Sequence, residues 1–437
     1  MQQGQATTIA DDSPRGSVLI AEPSPSLVAT IARSAVTIPP WAAALLIFLV
    51  TRIIALLGAY SGVTAAIAAE PSRNKGWLAE LGLMWDSAWY AGIALNGYTY
   101  QPGGLGDTNV AFAPLYPFLV RTLAGILRLV TFGWDFGNPQ FGTIVTAGLL
   151  ISNISFYFAL LLLIRFLAPR LGNLGASVVA FTLAALPTAF FFSAMYTEGL
   201  FLFLVIATFT LARSNWRWKW LCAGLIGMLA SLDRFAGLLL FPVLLAEYLS
   251  QTGWKLRKIR PDILWTLLVP AGIGIYAAFL WWRFGNPFIL NETMLKGWNH
   301  KGSFFLVTYW ESLSQLWQSV TGGVPPDADP VLYFGQGSRL YLILDLSLPV
   351  LLVIGGIIAR KKLLASEWAW LLLGVVYPLS TNITFSLARY VLPLWPGLIW
   401  LGLPGRANRV VAAIWIVVSL ALLAWCSRIY GSAHWIG

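Results

Sequence analysis

Apolar runs of about 20 residues recur along this 437-residue chain, and that length lets a helix cross the hydrocarbon of a bilayer. They are read near 41–60, 142–165, 174–193, 196–212, 220–232, 235–250, 262–282, 340–359, 367–386, 389–404 and 409–427. The expectation is an all-α polytopic membrane protein with about eleven spans, within two either way. With 58% hydrophobic and 11% charged residues and a mean hydropathy of +0.73, a soluble fold is excluded. The 22 Trp and 15 Tyr suit a chain with many membrane–water crossings, and equally a site that stacks on sugar rings.

The net charge of +10 does not point to nucleic acid, because the basic residues cluster in short loops between apolar runs and so act as topology signals. Cys222 and Cys426 both lie inside apolar runs, which disfavours a structural disulfide, and no metal-ligand spacing is present. Residues 1–40 are polar and rich in Ser, Pro and Ala; they read as a disordered cytoplasmic tail, not a signal peptide. Residues 41–437 read as a single transmembrane domain with no internal repeat.

Five dense clusters belong in the cytoplasm by the positive-inside rule: Arg165/Arg170, Arg213/Arg217/Lys219, Lys255/Arg257/Lys258/Arg260, Arg360/Lys361/Lys362 and Arg406/Arg409. An even number of spans must separate each from the next, which demands a break near "SLDRFAG" at 231–237. Residues 61–141 then form one long external segment, and 283–339 a second. The run 111–132, with Pro114, Pro117, Arg121 and Arg128, is expected as an amphipathic helix lying along the outer surface.

This topology puts the unusual polar stretches on one extracytoplasmic face, close to the headgroups. They are "MWDSAWYAGIALNGY" at 84–98, "FAPLYP" at 112–117, "FFFSAMYTEG" at 190–199, "SLDRFAG", and the start of "SLARYVLP" at 386–393. Ionisable groups at that depth are expensive and mark function. Each has a plainer reading. Asp86, between Trp85 and Trp89, suits an interfacial anchor or N-cap as well as a catalytic acid. Glu198 suits the first turn of a helix, Asp233–Arg234 a neutralised pair, and Arg389 a side chain snorkelling to the headgroups. His300, with Lys296 and Lys301, suits a solvated loop. Their convergence on one face favours function: arginines hold a phosphate through bidentate hydrogen bonds, and a carboxylate takes a proton from a hydroxyl.

Five stretches carry a family likeness. "MWDSAWYAGIALNGY" with "AFAPLYPFLVR" resembles the first external loop of the GPI mannosyltransferase II (PIG-V-like) family and its bacterial relatives, which are GT-C-type glycosyltransferases. "FFFSAMYTEGLFLFL" resembles the family's Tyr-Thr-Glu segment. "ASLDRFAGLLL" resembles its Thr-Arg-x-x-Gly segment, with Asp233 where Thr is usual. "RFGNPFILNETMLKGW" resembles its Phe-Gly-Asp-Pro loop, with Asn286 in place of Asp, and "SLARYVLPLWP" its Ser-x-x-Arg-Tyr segment.

The resemblance implies a GT-C-type fold and transfer of a hexose, typically mannose, from a polyprenyl-phosphate sugar to an acceptor on the extracytoplasmic face. The acceptor is a glycan, a glycolipid or a protein hydroxyl. The host is the bacterial plasma membrane, or the endoplasmic reticulum membrane in a eukaryote. Asp86 is implied as the catalytic base of an inverting displacement. Arg234, Arg389, His300 and Lys301 would hold the donor phosphate, and Trp85, Trp89, Tyr90, Tyr116, Tyr196, Glu198 and Asp233 the sugar or acceptor. No cofactor or metal is expected, since a lipid phosphate is already a good leaving group and no ligand cluster is visible. The rivals are a transporter or flippase of lipid-linked saccharides, which would place its charges at mid-span, a non-catalytic subunit of a membrane glycosylation complex, and a bacterial O-antigen polymerase or ligase, which would depend on external Arg and His instead of a first-loop acid.

Overall fold

The computed structural model describes residues 38–71, 80, 82–102, 108–130, 142–298, 300–322, 338–382, 384, 386–403 and 409–436. The expected tail over 1–40 lies outside the described residues except for its last three. Parts of the segments 61–141 and 283–339, and Arg406, also lie outside them.

The chain is helical almost throughout. Helix α1 (Pro40–Ala69) opens with proline at its first position, where no amide hydrogen is needed. Then come α2 (Asp86–Asn96), α3 (Leu115–Val130) and α4 (Gly142–Ala184). α5 (Glu198–Ala212), α6 (Lys219–Asp233), α7 (Leu240–Gln251) and α8 (Leu268–Phe284) complete the first part of the chain. The short α9 (Ile289–Lys296) and α10 (Phe305–Thr321) precede α11 (Ser338–Ile358) and α12 (Ala365–Leu379). The four-residue α13 (Leu387–Tyr390) and α14 (Arg409–Gly431) close the series.

Several boundaries follow from single residues. Gly172, at φ 72°, splits α4 into two arms, a conformation that only glycine adopts without strain. The arms match the two runs expected at 142–165 and 174–193, although the second ends at Ala184 before Pro187 and a 3-10 turn at Ala189–Phe192. The break required near "SLDRFAG" is present: α6 stops at Asp233, Arg234 is extended, and a 3-10 turn spans Phe235–Leu239. The expected run 389–404 is irregular. It is α13 followed by a 3-10 segment at Trp395–Gly402, because Pro393 and Pro396 deny a regular helix its amide donors.

Among the described residues, five helices are long and apolar enough to cross a membrane by length and composition: 40–69, 142–184, 261–284, 341–358 and 410–431. The apolar helices Glu198–Ala212 and Phe235–Gln251 are shorter. This is a multi-pass, all-α membrane protein. α5, apolar around its whole circumference, is buried along nearly all its length at the centre of the core. α1 and α14 pack closely through small residues: a Cβ on Gly58 would meet the Ala424 carbonyl at 2.3 Å, and one on Gly62 the Arg428 carbonyl at 2.1 Å. Their outer faces present Leu46, Leu57, Val411 and Val417 to the surroundings. α3 buries Tyr116, Val120 and Ala124 and exposes Phe118, Ile126 and Leu129, the two-faced helix expected there.

Two polar centres occupy opposite ends of the core. At one end, Arg213 Nη1 lies 2.8 Å from Glu367 Oε1 and its Nη2 lies 2.9 Å from Glu247 Oε2. Arg170 Nη2 lies 2.7 Å from Glu367 Oε1, and its Nη1 donates to the Lys362 carbonyl at 3.4 Å. Three of the basic clusters assigned to one face by sequence therefore meet. Arg213 caps the C-terminus of α5 while Glu198 begins it, so the second centre lies about 22 Å away.

Candidate active site

The second centre is a cavity of about 120 Å³. Its wall is formed by Asp86 and Tyr90 of α2, Phe112, Asp233 and Arg234 at the end of α6, Phe235, and Met294 of α9. Trp298, His300, Tyr377 of α12, Ser386, Arg389 and Tyr390 around α13, and Trp435 beyond α14 complete it.

Asp86 is the first residue of α2, where the helix macrodipole favours a carboxylate. The preceding Trp85 sits at φ 55°, ψ −124°, a strained conformation for a bulky residue and of the kind that clusters at functional sites. The Asp86 amide donates to the Tyr196 hydroxyl at 3.2 Å. Its carboxylate Oδ2 lies 2.5 Å from Arg389 Nη1.

Arg389 is presented by α13, whose N-cap Ser386 is left-handed at φ 70°. The buried Asp345 of α11 anchors that turn by accepting the Ala388 amide at 2.6 Å. The guanidinium is enclosed by four aromatic rings, with centroids of Phe191, Tyr196 and Trp435 at 5.4 Å and of Tyr390 at 5.7 Å. Glu198, the first residue of α5, pairs with Arg234 Nη1 and lies 3.4 Å from Arg389 Nε. Arg234 also donates to Thr197 Oγ1 at 3.0 Å and stacks 5.0 Å from the Tyr390 ring. The neutralised Asp233–Arg234 pair considered from sequence is not formed. Arg234 turns to Glu198, and neither Asp233 oxygen has a hydrogen-bond partner among the described residues.

Six of the twelve residues singled out from sequence line the cavity: Asp86, Tyr90, Asp233, Arg234, His300 and Arg389. Glu198 stands directly behind the two arginines. The other five are placed elsewhere. Trp85 packs edge-on against Trp435 at 5.2 Å, and Trp89 stacks behind the wall residue Phe112 at 5.7 Å. Tyr116 is fully buried, and its hydroxyl meets the Gly148 carbonyl at 2.9 Å and Ser152 Oγ at 2.8 Å, so it joins α3 to α4 and cannot stack on a ligand. Tyr196 is likewise buried, beneath Asp86 and Arg389. The Lys301 side chain is exposed and off the cavity; its amide donates to Asn382 Oδ1 at 2.8 Å.

Burial holds the His300 imidazole below its ordinary pKa, so it is neutral at pH 7. Burial, and then the nearby Glu198 carboxylate, holds the Tyr90 phenol well above its usual range. Among the described residues no three His, Cys, Asp or Glu side chains are grouped to hold a metal ion. Tyr377 and Trp435 were not singled out from sequence, and Tyr390 and Trp298, though they end quoted family motifs, were not assigned to the site. Tyr390 had a signal, as the neighbour of Arg389, whereas Tyr377 comes from a helix that read simply as a span and Trp435 from the segment beyond α14.

Fold and cavity together define a polytopic helical membrane protein with a charged, aromatic-walled site at one end of its core. Residues 62–243 match the family described as mannosyltransferase (PIG-V). That stretch holds Asp86, Glu198, Asp233 and Arg234, while His300 and Arg389 lie beyond it. No curated protein matches. Among solved structures the chain is similar to the oligosaccharyltransferase of Archaeoglobus fulgidus in complex with zinc and sulfate. The identity is 16% and the TM-score 0.45, covering 88% of this chain and 53% of that one. It is also similar to the archaeal oligosaccharyltransferase of the same organism in complex with an inhibitory peptide and a dolichol-phosphate. There the identity is 13% and the TM-score 0.43, covering 87% of this chain and 56% of that one. The chain spans about half the length of the solved structures it matches.

Proposed function

We propose that this protein is a membrane glycosyltransferase that moves a hexose, mannose by the family match, from a polyprenyl-phosphate sugar to an acceptor hydroxyl. The observation that carries this reading is the Asp86–Arg389–Glu198–Arg234 cluster in the wall of an aromatic-sided cavity. Asp86 Oδ2 faces Arg389, which leaves Oδ1 for the acceptor hydroxyl. As the acceptor oxygen bonds to the anomeric carbon, its proton passes to Asp86 and the bond from that carbon to the phosphate oxygen breaks. A single displacement inverts the anomeric configuration. The lipid phosphate leaves with its electron pair. Arg389 and Arg234 retain N–H groups beyond those given to carboxylates, and their charge stabilises the departing oxygens in a site sheltered from water. Neutral His300 contributes one further N–H donor. Tyr90, Tyr390 and Trp298 supply the faces against which the sugar is oriented. We read the cavity as extracytoplasmic; Arg170, Arg213 and Lys362 at the opposite end of the core, cytoplasmic under the positive-inside rule, support that side.

Purified protein in lipid or detergent is given polyprenyl-phosphate mannose and a panel of short glycolipid acceptors, with and without chelator, beside an Asp86→Asn variant. Transfer by the parent and a loss of about 10²-fold or more in the variant is the expected result. Equal consumption of donor by both removes Asp86 from the chemistry. Donor binding without turnover by either protein favours a transporter or subunit.

A further inference from the structure

Three acidic side chains and two arginines crowd this cavity, and they are not equally satisfied. Asp86 meets Arg389, and Glu198 meets both arginines through Oε1, while its Oε2 has no hydrogen-bond partner among the described residues. Asp233 is only 1% exposed, lines the cavity, and has no hydrogen-bond partner on Oδ1 or Oδ2 among the described residues. An ionised carboxylate buried without donors is strongly disfavoured, and hydroxyl donors on a ligand relieve that cost. A phosphate brings negative charge and acceptors, and is matched by the arginines. Two hydroxyls on adjacent ring carbons bring two donors side by side, and the two oxygens of one carboxylate stand side by side to receive them. Arg234, the next residue, is one of the two arginines assigned to the donor phosphate. The sugar directly bonded to that phosphate is thus the part of the ligand nearest to Asp233.

We propose that Asp233 is the specificity-determining residue of the cavity, accepting hydrogen bonds from two vicinal hydroxyls of the transferred hexose. This rests on the glycosyl-transfer reading above. A site built to bind a hydroxyl rejects the analogue lacking it, because its own polar group is then left unmet. The protein therefore selects hexoses with both hydroxyls free over sugars in which one is removed or replaced by an acetamido group.

The test measures kcat/KM for polyprenyl-phosphate mannose, for its deoxy analogues with each ring hydroxyl removed in turn, and for the 2-acetamido analogue. It does so in the parent, Asp233→Asn and Asp233→Ser. In the parent, two neighbouring deoxy positions are expected to cost roughly 10- to 100-fold each, the range for a hydrogen bond to a charged group. Asp233→Ser lowers the rate with the full sugar to a similar level and erases that discrimination, and Asp233→Asn, with one acceptor oxygen left, falls between. Neither variant loses thermal stability, since no native partner is removed; a lowered Tm with sugar preference intact would assign Asp233 a structural role and overturn the proposal. So would a parent that uses all the analogues equally, a reading that needs no variant. If the parent uses no polyprenyl-phosphate sugar at all, the glycosyl-transfer reading fails first, and visibly so, before any analogue is compared.

Discussion

Asp86 and Arg389 stand 303 positions apart in the chain, and their side chains meet at 2.5 Å. The contact joins the first turn of α2 to the one-turn helix α13, and it is made inside a ring of aromatic faces, with Glu198 3.4 Å from Arg389 Nε. A carboxylate held this way is aimed before any ligand arrives, so it loses little freedom on binding.

The enclosure of Arg389 suits a planar guanidinium and not an ammonium. Phe191, Tyr196, Tyr390 and Trp435 lie within 5.7 Å of its central carbon, and its N–H groups reach Asp86 on one side. Arg389→Lys keeps the charge but not the fork geometry. We expect a fall of about 10²-fold in kcat with polyprenyl-phosphate sugar, the size seen on losing one charge-stabilising donor. A drop below threefold would show that charge alone suffices.

Arg52 lies within the first apolar run, yet it is buried and fully engaged. It donates to the carbonyls of Ala184 at 2.7 Å and Ala189 at 2.6 Å, and to Ser193 Oγ at 3.1 Å. Those carbonyls end α4 and begin the turn leading to Tyr196 and Glu198. Arg52→Leu leaves them unmet, at a cost of about 2–4 kcal/mol in all. Thermal unfolding in detergent should show a clearly lower Tm, while KM for the donor in the folded fraction stays unchanged.

At the far end, Glu367 is fully buried between Arg170 and Arg213. Removing it leaves two arginines facing each other without their shared acid. Glu367→Ala should cost about 3 kcal/mol of stability and leave sugar preference intact. An altered preference with an unchanged Tm would contradict a purely structural role for this network.

His300 has a pKa lowered by burial, which fixes the sign of its pH effect. Between that lowered value and the ordinary value near 6.5, the unfolded chain binds more protons than the folded one, so stability rises with pH across this window. As pH falls below about 6.5 the parent should lose stability relative to His300→Gln, which has nothing to protonate. Unfolding midpoints of the two proteins at pH 7.5 and pH 5 check this. A difference that does not change with pH would show that His300 does not titrate with folding.

Much of the architecture was legible because hydropathy and breakers act locally. Apolar runs marked the helices, and the alternation of basic loops demanded the break at Asp233–Arg234 that is observed, whereas the run expected at 174–193 crossed Pro187 and its helix ends earlier, at Ala184. The same local signals marked Asp86, Glu198, Asp233, Arg234 and Arg389, since a charge beside an apolar run stands out against its neighbours.

The sequence by itself determined the class of the protein, the order of its helices and the acids and arginines worth attention, because each of these is written in a short window of residues. Only the tertiary structure decided which carboxylate each arginine serves. It turned Arg234 away from its neighbour Asp233 and toward Glu198, brought Arg389 to Asp86, and left the buried Asp233 carboxyl without a hydrogen-bond partner among the described residues. It also withdrew Tyr116 and Tyr196 into the supporting core and brought in Tyr377 and Trp435. Ion pairing falls off over a few ångströms, and distances of that order between residues hundreds of positions apart are fixed by helix packing, which no local pattern of residues records.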